Sequence, residues 1–426
     1  MIAAPGPDAE QPGSHGTTAD PSDPPVHRPR RVVHLVGHAT PEVLSFLAPA
    51  TLALARDGVR QHILVMQLDA GARRVSQWGL AAQAVVEVLA PEPRRMLRWH
   101  RLAQALNRAL ASDRRAVLHL HGYLPALLGS LTLMVARRRT PTVYTPHGSR
   151  ALQSALPFGA LLRAVGRTSA ASITNHAFES NRLSGQTRTP VHLAESPLPP
   201  ALLHVKRAES DLPVVVAGAL EQTAEGARQV TRMAVLLGGD FLDLGFEWIG
   251  ALDDEARALL RAVRIPNFGD PAIAEPAARA RDASFMVAEG EQTHEELSRL
   301  AGAWVHLAPA PVSHFPVLLA QAMALGVPCV ALDVPCHRAL IRHGETGYLC
   351  QDKDEMLHWT AALLRSTELR AKIGTAAREH ARSRSDEAQF HRALTAAYAA
   401  AVPAAGKRSG GVAQRPGWVA DAGVLR

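Results

Sequence analysis

The chain has 426 residues, 47% of them hydrophobic, and 46 Lys and Arg against 39 Asp and Glu give a net charge of +7. No apolar run is long enough for a transmembrane helix, and Cys329, Cys336 and Cys350 lack CxxC or zinc spacing, which argues against a disulfide framework or structural metal. An aromatic content of 4% argues against a base-stacking nucleic-acid platform, so the basic charge points to lipid or phosphate instead.

In chain order, residues 1–30 are rich in Pro, Gly, Asp and Ser and show neither the basic nor the apolar region of a secretion signal. They read as a disordered tail, and a reducing cytoplasm is the expected compartment. A continuous apolar strand follows at 32–36, ended by a turn at Gly37. The segment 42–56 has helical spacing, Gly58 stops it as a C′ glycine, and 62–66 is the next strand. A crossover helix joining two strands makes them parallel. The alternation continues with a helix over 97–110, a strand at 116–121, a helix over 125–136, a strand at 142–148, a helix near 158–167 and a strand at 171–175.

Residues 31–195 therefore form a first doubly wound α/β domain, and the Pro-rich stretch 196–213 reads as a linker. A second series occupies 214–384, with strands in "VVVAGA", "FEWIGA", "SFMVAEG", "WVHLAPA" and "PCVALD". Residues 385–402 read as an amphipathic terminal helix, and 403–426 return to disordered composition.

Three stretches carry a family resemblance: "LHLHGYLPALLGSL", "VYTPHG" and "FPVLLAQAMALGVPCVALDVPCHRALIRHGETGYLC". In order and spacing they resemble the family-4 glycosyltransferases (glycosyl transferases group 1), over residues 32–400. The resemblance implies a GT-B fold, two Rossmann-like domains facing across a cleft. It also implies transfer of a sugar from a nucleotide sugar to an acceptor hydroxyl, with retention and without a metal or other cofactor. The terminal helix would cross back to the first domain, and the acceptor would be a polysaccharide or a lipid-linked sugar of the cell surface.

The same resemblance places His147 beside the reacting carbon of the donor sugar; by itself, a histidine there also reads as a packed or capping residue. Donor contacts would come from Gly37, Gly218, Ser313, His314, Phe315, Pro316 and Gln321, with a helix starting near Phe315 offering its amides to the diphosphate. Gly37 alone reads equally as a plain strand-to-helix turn. His119 and His121 share a strand face and line the cleft or pack in the core; with His147 they are also the residues a metal hydrolase would use.

Four positions depart from the pattern. Ala219 and Glu225 stand where the family grips the diphosphate with Arg and Lys, and Ser313 and Gln321 stand where it carries two carboxylates. Two lost charge-assisted bonds weaken diphosphate binding by about two to four powers of ten. Gln321 retains one acceptor and two donors for a ribose. Ser313 reads as the cap of the helix that follows, and Arg228 as a substitute cation. A catalytically inactive GT-B protein that binds an active transferase is the alternative reading. Finally, "RRMLRWHRLAQALNRAL" at 94–110 aligns Trp99, Leu102, Ala103, Leu106 and Leu110 beside several arginines. Such a stripe rests either on an anionic membrane surface, at the inner face of the plasma membrane, or on the protein's own sheet.

Overall fold

The structure is a computed structural model. It describes residues 28–67, 79–89, 94–111, 113, 115–148, 164–199, 202, 205, 207–218, 224–241, 243–249, 255, 258, 260, 286–288, 294–310 and 315–402.

The first domain contains β1 (Arg31–His38), α1 (Pro41–Arg56), β2 (Arg60–Gln67), β3 (Val85–Val88), α2 (Arg95–Ala111), β4 (Val117–His121), α3 (Tyr123–Val135), β5 (Thr142–Thr145), β6 (Ala171–Thr174), α4 (Ala177–Ser184) and β7 (Val191–Leu193). Its described strands form one parallel sheet in the order β3-β2-β1-β4-β5-β6-β7. The chain order reverses between β1 and β4, and the crevice beyond the carboxyl ends of such a pair is where doubly wound sheets bind ligands. Local chemistry sets the boundaries of α1. Thr40 caps the Val43 amide at 3.5 Å, Pro41 opens the helix, and Gly58 beyond its end adopts φ +71.

The second domain contains β8 (Val214–Gly218), α5 (Ala224–Gly238), β9 (Gly245–Ile249), β10 (Met286–Ala288), α6 (His294–Gly302), β11 (Val305–Ala308), α7 (Val317–Leu325), β12 (Cys329–Leu332), α8 (Pro335–Arg338), β13 (Tyr348–Cys350), α9 (Lys353–Arg365) and α10 (Thr367–Arg384). Its parallel order, β10-β9-β8-β11-β12-β13, repeats the same reversal between β8 and β11. Every residue of α7 is buried, so this helix lies inside the domain rather than on its surface. Arg370 of α10 anchors the linker: it is stacked 3.8 Å over the Trp304 ring and bonds Glu209 at 2.6 Å and the Leu363 carbonyl at 2.9 Å.

A last helix, α11 (Glu387–Ala401), is capped by Asp386 and leaves the second domain. Its apolar face, Phe390, Leu394, Ala397 and Tyr398, joins the first domain's core with Val32, Phe46, Val117 and Ile173. An ion pair and a hydrogen bond tie its start to the end of α1: Arg56 with Glu387 at 3.1 Å and His391 with Asp57 at 2.9 Å. At the hinge, Ser385 accepts from the Leu198 amide at 2.9 Å, and Arg384 bonds Glu195. Helices α1 and α7 also touch, which brings the two domains together beside the Gln321 helix.

Three sequence expectations change here, and of the two readings of the α2 stripe the one that packs it on the protein's own sheet holds. Gly37 does not turn the chain out of β1, because the strand runs on through His38. A side chain at Gly37 would press on the Pro125 ring at 3.3 Å, so its smallness serves the packing of α3. The strand expected at 142–148 stops at Thr145, which leaves His147 beyond it. Helix α7 begins at Val317, two residues beyond the expected start at Phe315, with Pro316 as its cap residue; the cap expected from Ser313 lies outside the described residues. Lastly, Leu102, Leu106 and Leu110 of the α2 stripe are buried against the sheet with Leu118 and Leu120. That face is covered by the protein itself and is unavailable to lipid.

Candidate functional site

The register of β1 and β4 sets His34 beside His119 and Val36 beside His121. Paired residues of parallel strands share a face, so three histidine rings point to the same side of the sheet. There they meet Phe46 from α1, whose ring lies edge-on to His119 and His147. Tyr398 arrives from α11 and lies edge-on to His119. A fourth histidine, His147, follows β5 in a left-handed backbone conformation, φ +51, with Gly148 next at φ +131. A non-glycine residue held there stores strain that the surroundings must hold in place. Gly148 donates its amide to Glu179 at 2.9 Å, and Glu179 is buried in the first turn of α4.

The rings are joined by hydrogen bonds. His34 Nδ1 lies 3.0 Å from His121 Nε2, and His121 Nδ1 lies 2.9 Å from His147 Nε2. His119 meets the Tyr398 hydroxyl at 2.7 Å through Nδ1 and Thr145 at 2.8 Å through Nε2. Burial drives the proton affinity of all three inner rings down: His34 to about 3, His119 and His121 well below the ordinary range, and neighbouring histidines push the last two further. Neutral imidazoles at neutral pH follow.

His34, His119 and His121 bring one ring nitrogen each within 4.8 Å of one another, close enough to consider a metal. Yet both nitrogens of His119 and both of His121 already have hydrogen-bond partners, and a metal would have to break those bonds to take their lone pairs. The donor set fits a polar network better than a metal centre.

The donor-side residues are placed unevenly. Gly218 ends β8, where a Cβ would stand 2.2 Å from the Ile249 carbonyl oxygen and 2.5 Å from Leu318. Only glycine fits that crossing of β8, β9 and α7. Gln321 is buried within α7, and Phe315 lines an apolar hollow at the hinge with Ala320, Met323 and Leu340. Ser313, His314 and Ala219 lie outside the described residues, as does the side chain of Glu225. Arg228, the substitute cation of the sequence reading, pairs with Glu255 at 2.6 Å on the surface of α5.

Sequence reading found His119, His121 and His147 but missed His34 and its neighbours. A histidine within the apolar run of β1 was the available signal. Tyr398, 279 residues from His119 along the chain, gave none.

Comparisons agree with this architecture. Residues 50–194 match the family Glycosyltransferase Family 4, and 280–380 match Glycosyl transferases group 1. Among solved structures, Anabaena HepE in complex with UDP-glucose superimposes with a TM-score of 0.66 at 15% identity, covering 86% of this chain and 98% of that one. Sucrose-phosphate synthase from Thermosynechococcus elongatus gives 0.64 at 15% identity, covering 87% and 98%. A 67-residue stretch is 40% identical to N-acetyl-alpha-D-glucosaminyl L-malate synthase of Bacillus anthracis; it spans 15% of this chain and 18% of that relative.

Proposed function

We propose, from the premise that the chain belongs to the family-4 glycosyltransferases of GT-B fold, that it transfers a sugar from a nucleotide sugar, a uridine diphosphate sugar first among candidates, to an acceptor hydroxyl. The observation that carries this is His147: a half-buried ring, held at φ +51 by a line of neutral histidines, near the carboxyl end of β5. Strain and orientation of this kind gather where a side chain must meet a ligand. In the reaction proposed, the C1–oxygen bond to the diphosphate breaks and the acceptor oxygen bonds to C1 on the same face. The acceptor proton passes to the leaving phosphate oxygen, so no protein carboxylate is needed as base. Gly218 packs against Leu318 of α7 and Pro316 precedes that helix, and Gln321 is proposed to meet the ribose. Polysaccharide or glycolipid acceptors complete the proposal, as does independence from metal.

Thermal unfolding against UDP, GDP, ADP and dTDP sugars tests it. A ligand at a hundred times its dissociation constant adds about 2.7 kcal/mol. If both domains melt together, that raises the midpoint by ~3 °C. We expect one nucleotide to do so, unchanged by a chelator and abolished by Gln321→Ala. No shift with any donor would replace this proposal with the non-catalytic partner.

A membrane site of action belongs to the same proposal, moved from the buried stripe of α2 to the surface left open. Met96 and Leu97 are exposed near Arg98 and Arg101, and Met134 and Val135 are exposed near Arg137 and Arg139. Among the described residues no helix is long and apolar enough to cross a membrane. Phosphatidylglycerol vesicles should pellet the protein at low salt and phosphatidylcholine vesicles should not; equal failure with both would remove the membrane from the proposal.

A further inference from the structure

His147 stands in a left-handed turn that side-chain-bearing residues adopt reluctantly, so contacts on each side have to keep the chain there. On the far side Glu179 accepts from the Gly148 amide at 2.9 Å. On the near side Pro146 fixes its own backbone and confines Thr145, the last residue of β5, to the extended form. The Thr145 carbonyl accepts from the Gly122 amide at 2.8 Å, and its buried hydroxyl meets His119 Nε2 at 2.8 Å. His119 finds its second partner in the Tyr398 hydroxyl, 2.7 Å from Nδ1. A hydroxyl can give or receive, so one at each end lets a neutral ring satisfy both nitrogens. The same His119 ring lies 4.0 Å, centre to centre, from the ring of His121, which in turn bonds His147. Through His119, then, Tyr398 bears on both approaches to the turn. It does so from α11, the helix that follows the second domain and starts beside the hinge residues Arg384 and Ser385.

We propose that Tyr398 is a positioning residue of the transfer site: by holding His119 between its own hydroxyl and Thr145, the last helix sets where the His147 ring stands. This rests on the reading that His147 works in the transfer site, and deepens it with a residue that touches no substrate. Removing the Tyr398 hydroxyl leaves His119 Nδ1 buried without that partner, and a buried polar atom so stranded favours a turned ring. A turned His119 lets go of Thr145 and presses on His121, and His147 shifts with them. A small displacement of a group that meets the reacting carbon costs rate. Nucleotide binding, which the proposed function assigns mainly to the second domain, is spared.

Tyr398→Phe keeps the ring that lies edge-on to His119 and removes only the hydroxyl. Measured below its melting range, it is expected to lower kcat by about 10–100-fold with the donor KM unchanged, and to add no further loss when combined with His147→Ala. Thr145→Val should lose a similar factor, and Thr145→Ser, which restores the hydroxyl, should recover most of it. Nitrogen NMR of the full chain labelled in histidine reads the position without any donor, with His147 assigned by its loss in His147→Asn. The His147 signals should move or broaden in Tyr398→Phe and in Thr145→Val, and return towards the parent's in Thr145→Ser. Signals unmoved in Tyr398→Phe overturn the proposal whatever the rate does, and so does a Tyr398→Phe protein at the parent kcat while His147→Ala is slow. A loss of equal size with and without His147 overturns it as well. If the signals move while Tyr398→Phe and His147→Ala both transfer sugar at the parent rate, the positioning stands and the role of His147 in transfer falls. Should Tyr398→Phe fail to fold, the Thr145 pair decides by the same readouts.

Discussion

Lowering the pH from 7.5 to 5.5 is expected to destabilise the protein by several kcal/mol. The cause is buried neutral histidine. His34 is held to about 3 and His306 to about 4, both chiefly by burial. An unfolded histidine binds its proton near 6.5. Below that value the unfolded state takes up protons that the fold refuses. Stability is therefore complete above about 6.5 and falls as the pH drops towards the folded values. Each of the two contributes a loss of about 1.3 kcal/mol over this interval. His119 and His121 shift in the same direction for the same reason and steepen the fall. The sum is a large fraction of an ordinary stability of roughly 5–15 kcal/mol. Urea midpoints at half-unit steps of pH measure it, and a midpoint that stays level from 7.5 to 5.5 would mean that the rings are charged or solvated in the fold.

His306 shows why such a cost is tolerated. It stands in the middle of β11 with Nδ1 donating to the Val216 carbonyl at 3.0 Å, so it ties two central strands of the second sheet while neutral. The first domain uses its histidines differently, as a connected group under α1 and α11. One consequence is domain-specific: acid should loosen the first domain and the seat of α11 more than the second, because three of these four rings lie there.

How much of this was legible follows from what each feature depends on. Apolar runs of four to eight residues between helical stretches give both sheets, because burial on two faces writes itself as a continuous apolar strand. β3, β7 and β13, three or four residues each, were missed for the same reason, being too short to make such a run. Within the site, His119, His121 and His147 were visible as motif residues. Their partners were not: His34 reaches His121 through the pairing of β1 with β4, and Tyr398 reaches His119 through the return of α11, both set by tertiary packing. Gly218 looked like a ligand contact and proves also to be a steric necessity under the Ile249 carbonyl. The α2 stripe was read correctly as amphipathic, but amphipathicity cannot say what covers the apolar side, and here it is the sheet.

The largest catalytic effect should come from His147. Replacing it by Ala is expected to lower kcat by about 10²–10³-fold, the ordinary effect of removing one oriented hydrogen-bonding group from a transition state. KM should change little, because most donor affinity would lie in the second domain with the nucleotide. Stability should also fall, by about 1–3 kcal/mol, because His121 loses its partner at 2.9 Å and Phe46 loses an edge-on contact, 5.5 Å between ring centres. His147→Asn separates the two things His147 does. Asparagine tolerates the left-handed backbone better than alanine, so it keeps the turn between β5 and Gly148 while shortening the side chain. If kcat falls alike in both variants, the ring itself acts on the sugar. If Asn retains the parent rate and Ala does not, the turn matters and the histidine line serves only to hold it. A His147→Ala protein as fast as the parent would place the transfer elsewhere in the cleft.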